Sequence, residues 1–81
     1  MKESELLYKF GQRLKELREN RKWTLRDLEA RTNIDNSELS KYELGYISPQ
    51  LITLYKLSQA YGITLSKLLD IEKDTKKEMT D

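Results

Sequence analysis

A chain of 81 residues has room for one domain with a small core, and 37% hydrophobic with 36% charged residues fits a folded helical domain, not a disordered one. The absence of both cysteine and histidine excludes thiol nucleophiles, histidine-based triads and Cys/His zinc sites, and no cofactor or metal is called for. There is no apolar run of membrane-spanning length and no secretory layout at the N-terminus, so the expected location is the cytoplasm, with neither a membrane nor a small-molecule substrate as partner.

Net charge is only +1, but it is unevenly spread: residues 1–31 carry nine Lys/Arg against six Asp/Glu, and residues 32–81 six against eight. A local basic surface around Arg21, Lys22 and Arg26 is therefore expected.

Residues 1–8 read as a frayed lead-in. From Leu7 the apolar positions Leu7, Phe10, Leu14 and Leu17 alternate three and four apart, the mark of one buried helical face, and this first helix is expected to end near Asn20, which can adopt a C-terminal cap conformation. Gly11 costs about 1 kcal/mol against alanine inside a helix, which a close approach by another element would explain. Arg18 shares the side of Leu14 and should point to the edge of the core.

The stretch from Trp23 to Gly45 carries the densest signals. Thr24 is a candidate N-cap with Asp27 three residues on, and Trp23 and Leu28 have the spacing of a hydrophobic staple. Asp35 and Glu38, flanked by Ile34 and Leu39, repeat that arrangement. Thr32-Asn33 falls between them, and asparagine tolerates the left-handed backbone of a sharp turn. The second helix, Leu25 to Arg31 or Thr32, should pack through Leu28 and Thr32. The third should bury Leu39, Tyr42 and Glu43 and end at Gly45. Two short helices joined so tightly describe a helix-turn-helix.

Tyr46-Ile47-Ser48-Pro49 reads as a loop leading to a fourth helix, with Ser48 as cap, Pro49 first in the helix and Ile47/Ile52 as staple. Leu51, Leu54, Leu57 or Ser58, and Tyr61 make its core face, and Gly62 stops it. Thr64 then caps a fifth helix filled by Leu65, Leu68 and Leu69. Residues 71–81 form a charged tail beyond a domain of residues 1–70, expected to be frayed or, alternatively, a short helix docked on a dimer partner.

The ordered set Leu14, Leu17, Arg18, Thr24, Leu28, Ile34, Ser37, Leu39, Ser40, Glu43-Leu44-Gly45, Pro49, Leu54, Leu57, Ala60 and Gly62-Ile63-Thr64-Leu65 resembles the Cro/phage-repressor (XRE-type) helix-turn-helix family over residues 9–70. The resemblance implies an all-α, five-helix lambda-repressor-like fold and a dimeric, sequence-specific regulator that lays its third helix in the major groove of double-stranded DNA. It implies an ion pair between Arg18 and Glu43. It also places Asn36, Ser37 and Lys41 where the family reads bases, with Ser40 on the same face. Thr24, Arg26, Tyr46 and Ser48 fall near the phosphate backbone. Asparagine suits adenine and lysine suits guanine, whereas Glu38 either accepts from cytosine or closes the capping box on the Asp35 amide, the preferred reading.

Two positions depart from the family pattern. Leu25 stands where a backbone-gripping glutamine is usual. Glu29 stands where alanine is usual, so its side chain must bend outwards or find a partner such as Lys41 or Arg31. Controllers of restriction–modification systems and antitoxins share this size. The alternative is a protein-interaction module on the same fold, motivated by the acidic tip of the third helix. No set of nucleophile, base and oxyanion donors can be assembled, so no enzyme is expected.

Overall fold

Five helices, α1 (Glu3–Asn20), α2 (Leu25–Thr32), α3 (Asn36–Leu44), α4 (Leu51–Tyr61) and α5 (Leu65–Leu68), follow one another without a strand in the computed structural model, which describes residues 1–72. The expectations for residues 73–81 lie outside the described residues. One core joins all five helices: Phe10, Leu14 and Leu17 from α1, Leu28 from α2, Leu39 and Tyr42 from α3, Leu57 and Tyr61 from α4, and Leu68 from α5, with Ile34 from the turn.

The first helix starts earlier than its apolar period suggests. Residues 3–6 are helical because the Lys2 amide donates to Glu5 Oε1 at 3.0 Å, and Glu3 and Glu5 suit the positive end of the helix. At the other end the cap is not Asn20. Lys22 takes the left-handed backbone (φ 60°), and its amide and that of Trp23 close on the carbonyls of Glu19 and Arg18.

Three of the four internal helix starts follow the cap-and-staple pattern. Thr24 Oγ1 accepts from the Asp27 amide at 3.0 Å while Asp27 Oδ2 accepts from the Thr24 amide at 2.8 Å, a reciprocal capping box. Asp35 caps α3 by accepting from the Ser37 amide, and Thr64 caps α5 by accepting from the Lys67 amide. Asn33 (φ 62°) makes the turn between α2 and α3, and Gly45 (φ 77°) ends α3.

The fourth start differs. Helix α4 begins at Leu51 with Gln50 as its extended N-cap, so Ser48 is not a cap, Pro49 is not helical, and Ile47 and Ile52 are exposed. Pro49 instead lines an apolar cleft with Leu6, Leu7, Phe10 and Leu54, and the chain stays out of the helix through the extended Gln50. Moving the start turns Leu51 outwards, where it is 68% exposed, and Ser58 is buried beside Leu57. Leu69 also falls outside the core, because α5 is a single turn. Ile71, one residue past the expected boundary, still packs against the core.

Gly11 has the role its cost implied. A Cβ there would lie 2.7 Å from the Tyr42 carbonyl oxygen and closer still to that of Glu43, so α1 and α3 meet backbone to backbone. Both obstructing atoms are main chain and cannot rotate away. Gly11→Ala is therefore expected to lower stability by about 2 kcal/mol, as overpacking does, although helix propensity alone favours alanine by about 1 kcal/mol. Urea unfolding of the two proteins checks the sign.

Candidate nucleic-acid interface

Two devices anchor the inner side of α3. Leu39 and Tyr42 are buried in the core, and Glu43 meets Arg18 of α1. That contact is a two-pronged fork: Arg18 Nε donates to Glu43 Oε2 at 2.7 Å and Nη2 donates to Oε1 at 3.0 Å. The remaining nitrogen, Nη1, donates to the Trp23 carbonyl at 2.9 Å, so the same guanidinium also fixes the entry to α2. The two side chains are 13% and 7% exposed. The Glu43 hydrogen bond holds the Arg18 guanidinium above its ordinary value. Removing one partner strands a charge away from water, so Glu43→Ala is expected to cost about 3 kcal/mol, and Arg18→Lys, which lacks the fork, to recover only part of the pair's contribution. Thermal or urea unfolding of both variants measures this.

A second cluster braces the far side of α2. The Trp23 and Tyr61 rings stack at 5.7 Å, with the Arg31 guanidinium 4.0 Å from the Trp23 ring centre and that of Arg21 4.9 Å from the Tyr61 ring centre. Arg21 further donates to the carbonyls of Leu17 and Tyr61, so it is spent inwards and does not join the expected basic surface. Lys22 and Arg26 remain exposed.

On the outer side of α3, Ser37 and Lys41 are exposed and Asn36 and Ser40 are half-buried. Each polar group has a definite state. The Ser37 hydroxyl donates to Asp35 Oδ2, which leaves its oxygen free only as an acceptor. Asn36 Nδ2 donates to Glu29 Oε1 at 2.8 Å, so the partner of Glu29 is neither Lys41 nor Arg31. Glu38 does not close a capping box. Its carboxylate accepts instead from the hydroxyl of Tyr42, one turn further along α3. Burial, and then the Glu38 hydrogen bond, raise the Tyr42 phenol above its ordinary value.

Around this strip lie the expected backbone-contact residues. Thr24 and Arg26 are exposed at the start of α2, and the Thr24 hydroxyl, which only accepts within the cap, keeps its proton for an outside acceptor. Tyr46, 71% exposed, and Ser48 lie on the loop after α3. The sequence reading missed a further set. Tyr8, Gln12 and Lys15 of α1 line one groove with Leu25, Ser40 and Leu44, over the Arg18–Glu43 pair. Their spacing of four and three is a polar helical stripe, a signal available in the sequence once α1 is known to flank α3. Among the described residues no group of acidic side chains is placed to hold a metal ion, and no helix is long and apolar enough to cross a membrane.

The two caps make the motif acid-sensitive. Hydrogen bonds from Thr24 hold the Asp27 carboxyl below its ordinary value, and those from Ser37 do the same for Asp35. A carboxyl lowered in the folded state stabilises above its unfolded value and loses that contribution as pH falls through the folded one. Stability should therefore drop as pH falls below about 4. The double variant Asp27→Asn, Asp35→Asn should show a shallower drop from a lower starting point, as followed by circular dichroism.

The family model described as helix-turn-helix matches residues 14–68. Among curated proteins, the chain is 39% identical over 71 residues to the HTH-type transcriptional regulator ImmR of Bacillus subtilis, covering 88% of this chain and 56% of the relative. It is 40% identical over 62 residues to the HTH-type transcriptional regulator DdrOP3 of Deinococcus deserti, covering 76% of this chain and 48% of the relative. It is 36% identical over 73 residues to the control protein C.MunI of a Mycoplasma species, covering 88% of this chain and 99% of that protein. The chain thus spans about half the length of the first two relatives and nearly all of the third. Among solved structures, the restriction-modification controller protein C.AhdI of Aeromonas hydrophila superposes with a TM-score of 0.74 at 34% identity, over 76% of this chain and 94% of that one.

Proposed function

This chain belongs to the helix-turn-helix family, and we propose that it is a transcriptional regulator that binds double-stranded DNA sequence-specifically as a homodimer on a palindromic operator. The observation that carries this reading is the outer strip of α3. Asn36, Ser37, Ser40 and Lys41 stand on a helix whose inner side is locked by Leu39, Tyr42 and the Arg18–Glu43 fork. In this proposal α3 enters the major groove, Asn36 and Lys41 address base edges, and Ser37 and Ser40 supply shorter polar contacts. Thr24, Arg26, Tyr46 and Ser48 hold the phosphate backbone. Glu38, bonded to Tyr42 through Oε2, keeps Oε1 as an acceptor that could meet cytosine N4.

Residues 1–70 constitute the DNA-binding unit, with 71–81 as a charged tail. Dimerisation through the exposed Tyr55 and Leu69, with Ile71 at the margin, would set two copies of α3 about 34 Å apart, one helical turn of DNA. The two controller proteins among the relatives support a role in controlling a restriction–modification system. On this reading the chain works in the cytoplasm and is not an enzyme.

Selection from a random duplex pool, followed by titrations at two salt concentrations, tests the proposal. Enrichment of one palindrome, with affinity falling steeply as salt rises, is expected. Lys41→Ala should weaken that site by about 1–3 kcal/mol and relax its sequence at one position per half-site. The pair Tyr55→Asp, Leu69→Asp should sediment as a monomer and lose the palindrome requirement. No enrichment at either salt concentration, with a protein partner recovered instead, would favour an interaction module and overturn the reading.

A further inference from the structure

Glu29 is a half-buried carboxylate between α2 and α3 that forms no ion pair among the described residues. Its Oε1 accepts instead from Asn36 Nδ2 at 2.8 Å. A carboxylate can only accept, so the nitrogen side of the Asn36 carboxamide must be the side that faces Glu29. This removes the freedom that an asparagine amide ordinarily has to turn over and exchange its oxygen for its nitrogen. Asn36 Oδ1 has no protein partner among the described residues and is not sealed from solvent. Oδ1 and one N–H of Nδ2 are left without a protein partner among the described residues, an acceptor and a donor in a fixed order. Adenine presents the complement of that pair in the major groove, an N6 donor beside an N7 acceptor.

We propose that Glu29 is a positioning residue for base readout: by holding the Asn36 carboxamide in one of its two orientations, it makes the protein discriminate adenine at the base that Asn36 faces. The inference rests on the regulator reading above and adds a specificity determinant on α2, outside the helix that enters the groove. It also accounts for a carboxylate tolerated near the DNA-facing side, where its charge alone repels phosphates.

The test uses the full chain and the half-site that it selects from a random duplex pool. Binding is then measured by fluorescence anisotropy on that site and on versions with each base pair replaced in turn. For the wild type, replacing one A·T pair should weaken binding on the order of 10- to 100-fold. In Glu29→Ala that penalty should shrink to about threefold or less, while binding to an unrelated duplex stays equal or tightens as a negative charge is lost. Glu29→Gln, whose carboxamide can either accept or donate and so no longer dictates which side of Asn36 it meets, should lose part of the discrimination. Asn36→Ala should flatten the same position, and adding Glu29→Ala to it should change nothing further, a coupling that a merely structural tie would not produce. Melting temperatures of the variants near that of the wild type would show that the fold is intact.

Full discrimination by Glu29→Ala would overturn the positioning role and leave the regulator reading standing, as would a further loss of discrimination in the double variant. A wild type that selects no sequence would overturn the regulator reading, and the positioning role with it.

Discussion

The contact between α1 and α3 is the constraint on which the rest depends. At Gly11 the two backbones touch, and seven residues further along α1 the Arg18 fork takes hold of Glu43. The first contact sets how closely the helices approach, and the second sets the rotation of α3 about its own axis. A helix only nine residues long has little intrinsic stability, so its orientation comes from what its inner side grips. Because Arg18 also reaches the Trp23 carbonyl, the same side chain aligns the start of α2 with α3. The outward strip follows from this geometry.

The motif also disposes of its negative charge. Asp27 is tied to Thr24, Asp35 to Ser37, Glu38 to Tyr42, Glu29 to Asn36 and Glu43 to Arg18. Each of these carboxylates accepts a hydrogen bond from the protein itself. Lys15, Lys22, Arg26 and Lys41, by contrast, stand exposed without a carboxylate partner among the described residues. A net charge near zero is therefore compatible with a motif whose unpaired charged groups are cationic, as the proposed phosphate contacts require. The acidic tip of α3, an obstacle to DNA binding when read as bare charge, is engaged within the helix itself, Asp35 as the cap and Glu38 by Tyr42.

How much could be read in advance depended on the range of the interactions concerned. The chain by itself determined five helices, the tight turn at Asn33, the caps at Thr24, Asp35 and Thr64, and the apolar seam from Phe10 to Leu68, because capping and helical periodicity act over three to five residues. The strip of Asn36, Ser37, Ser40 and Lys41 followed from the same periodicity, and the Arg18–Glu43 pairing from family resemblance.

Only the tertiary structure decided matters in which a local signal met a distant competitor. Ser48 and Pro49 had the chemistry of a helix start, but Pro49 lines the cleft beside Leu6, Leu7 and Phe10, and α4 begins two residues later. Glu38 had the spacing of a capping box and went to Tyr42. Glu29 had two cations within plausible reach and took an asparagine across the motif. In each of these cases the choice of partner lay with side chains whose neighbours are fixed by the packing of another helix, and no window along the chain contains that information.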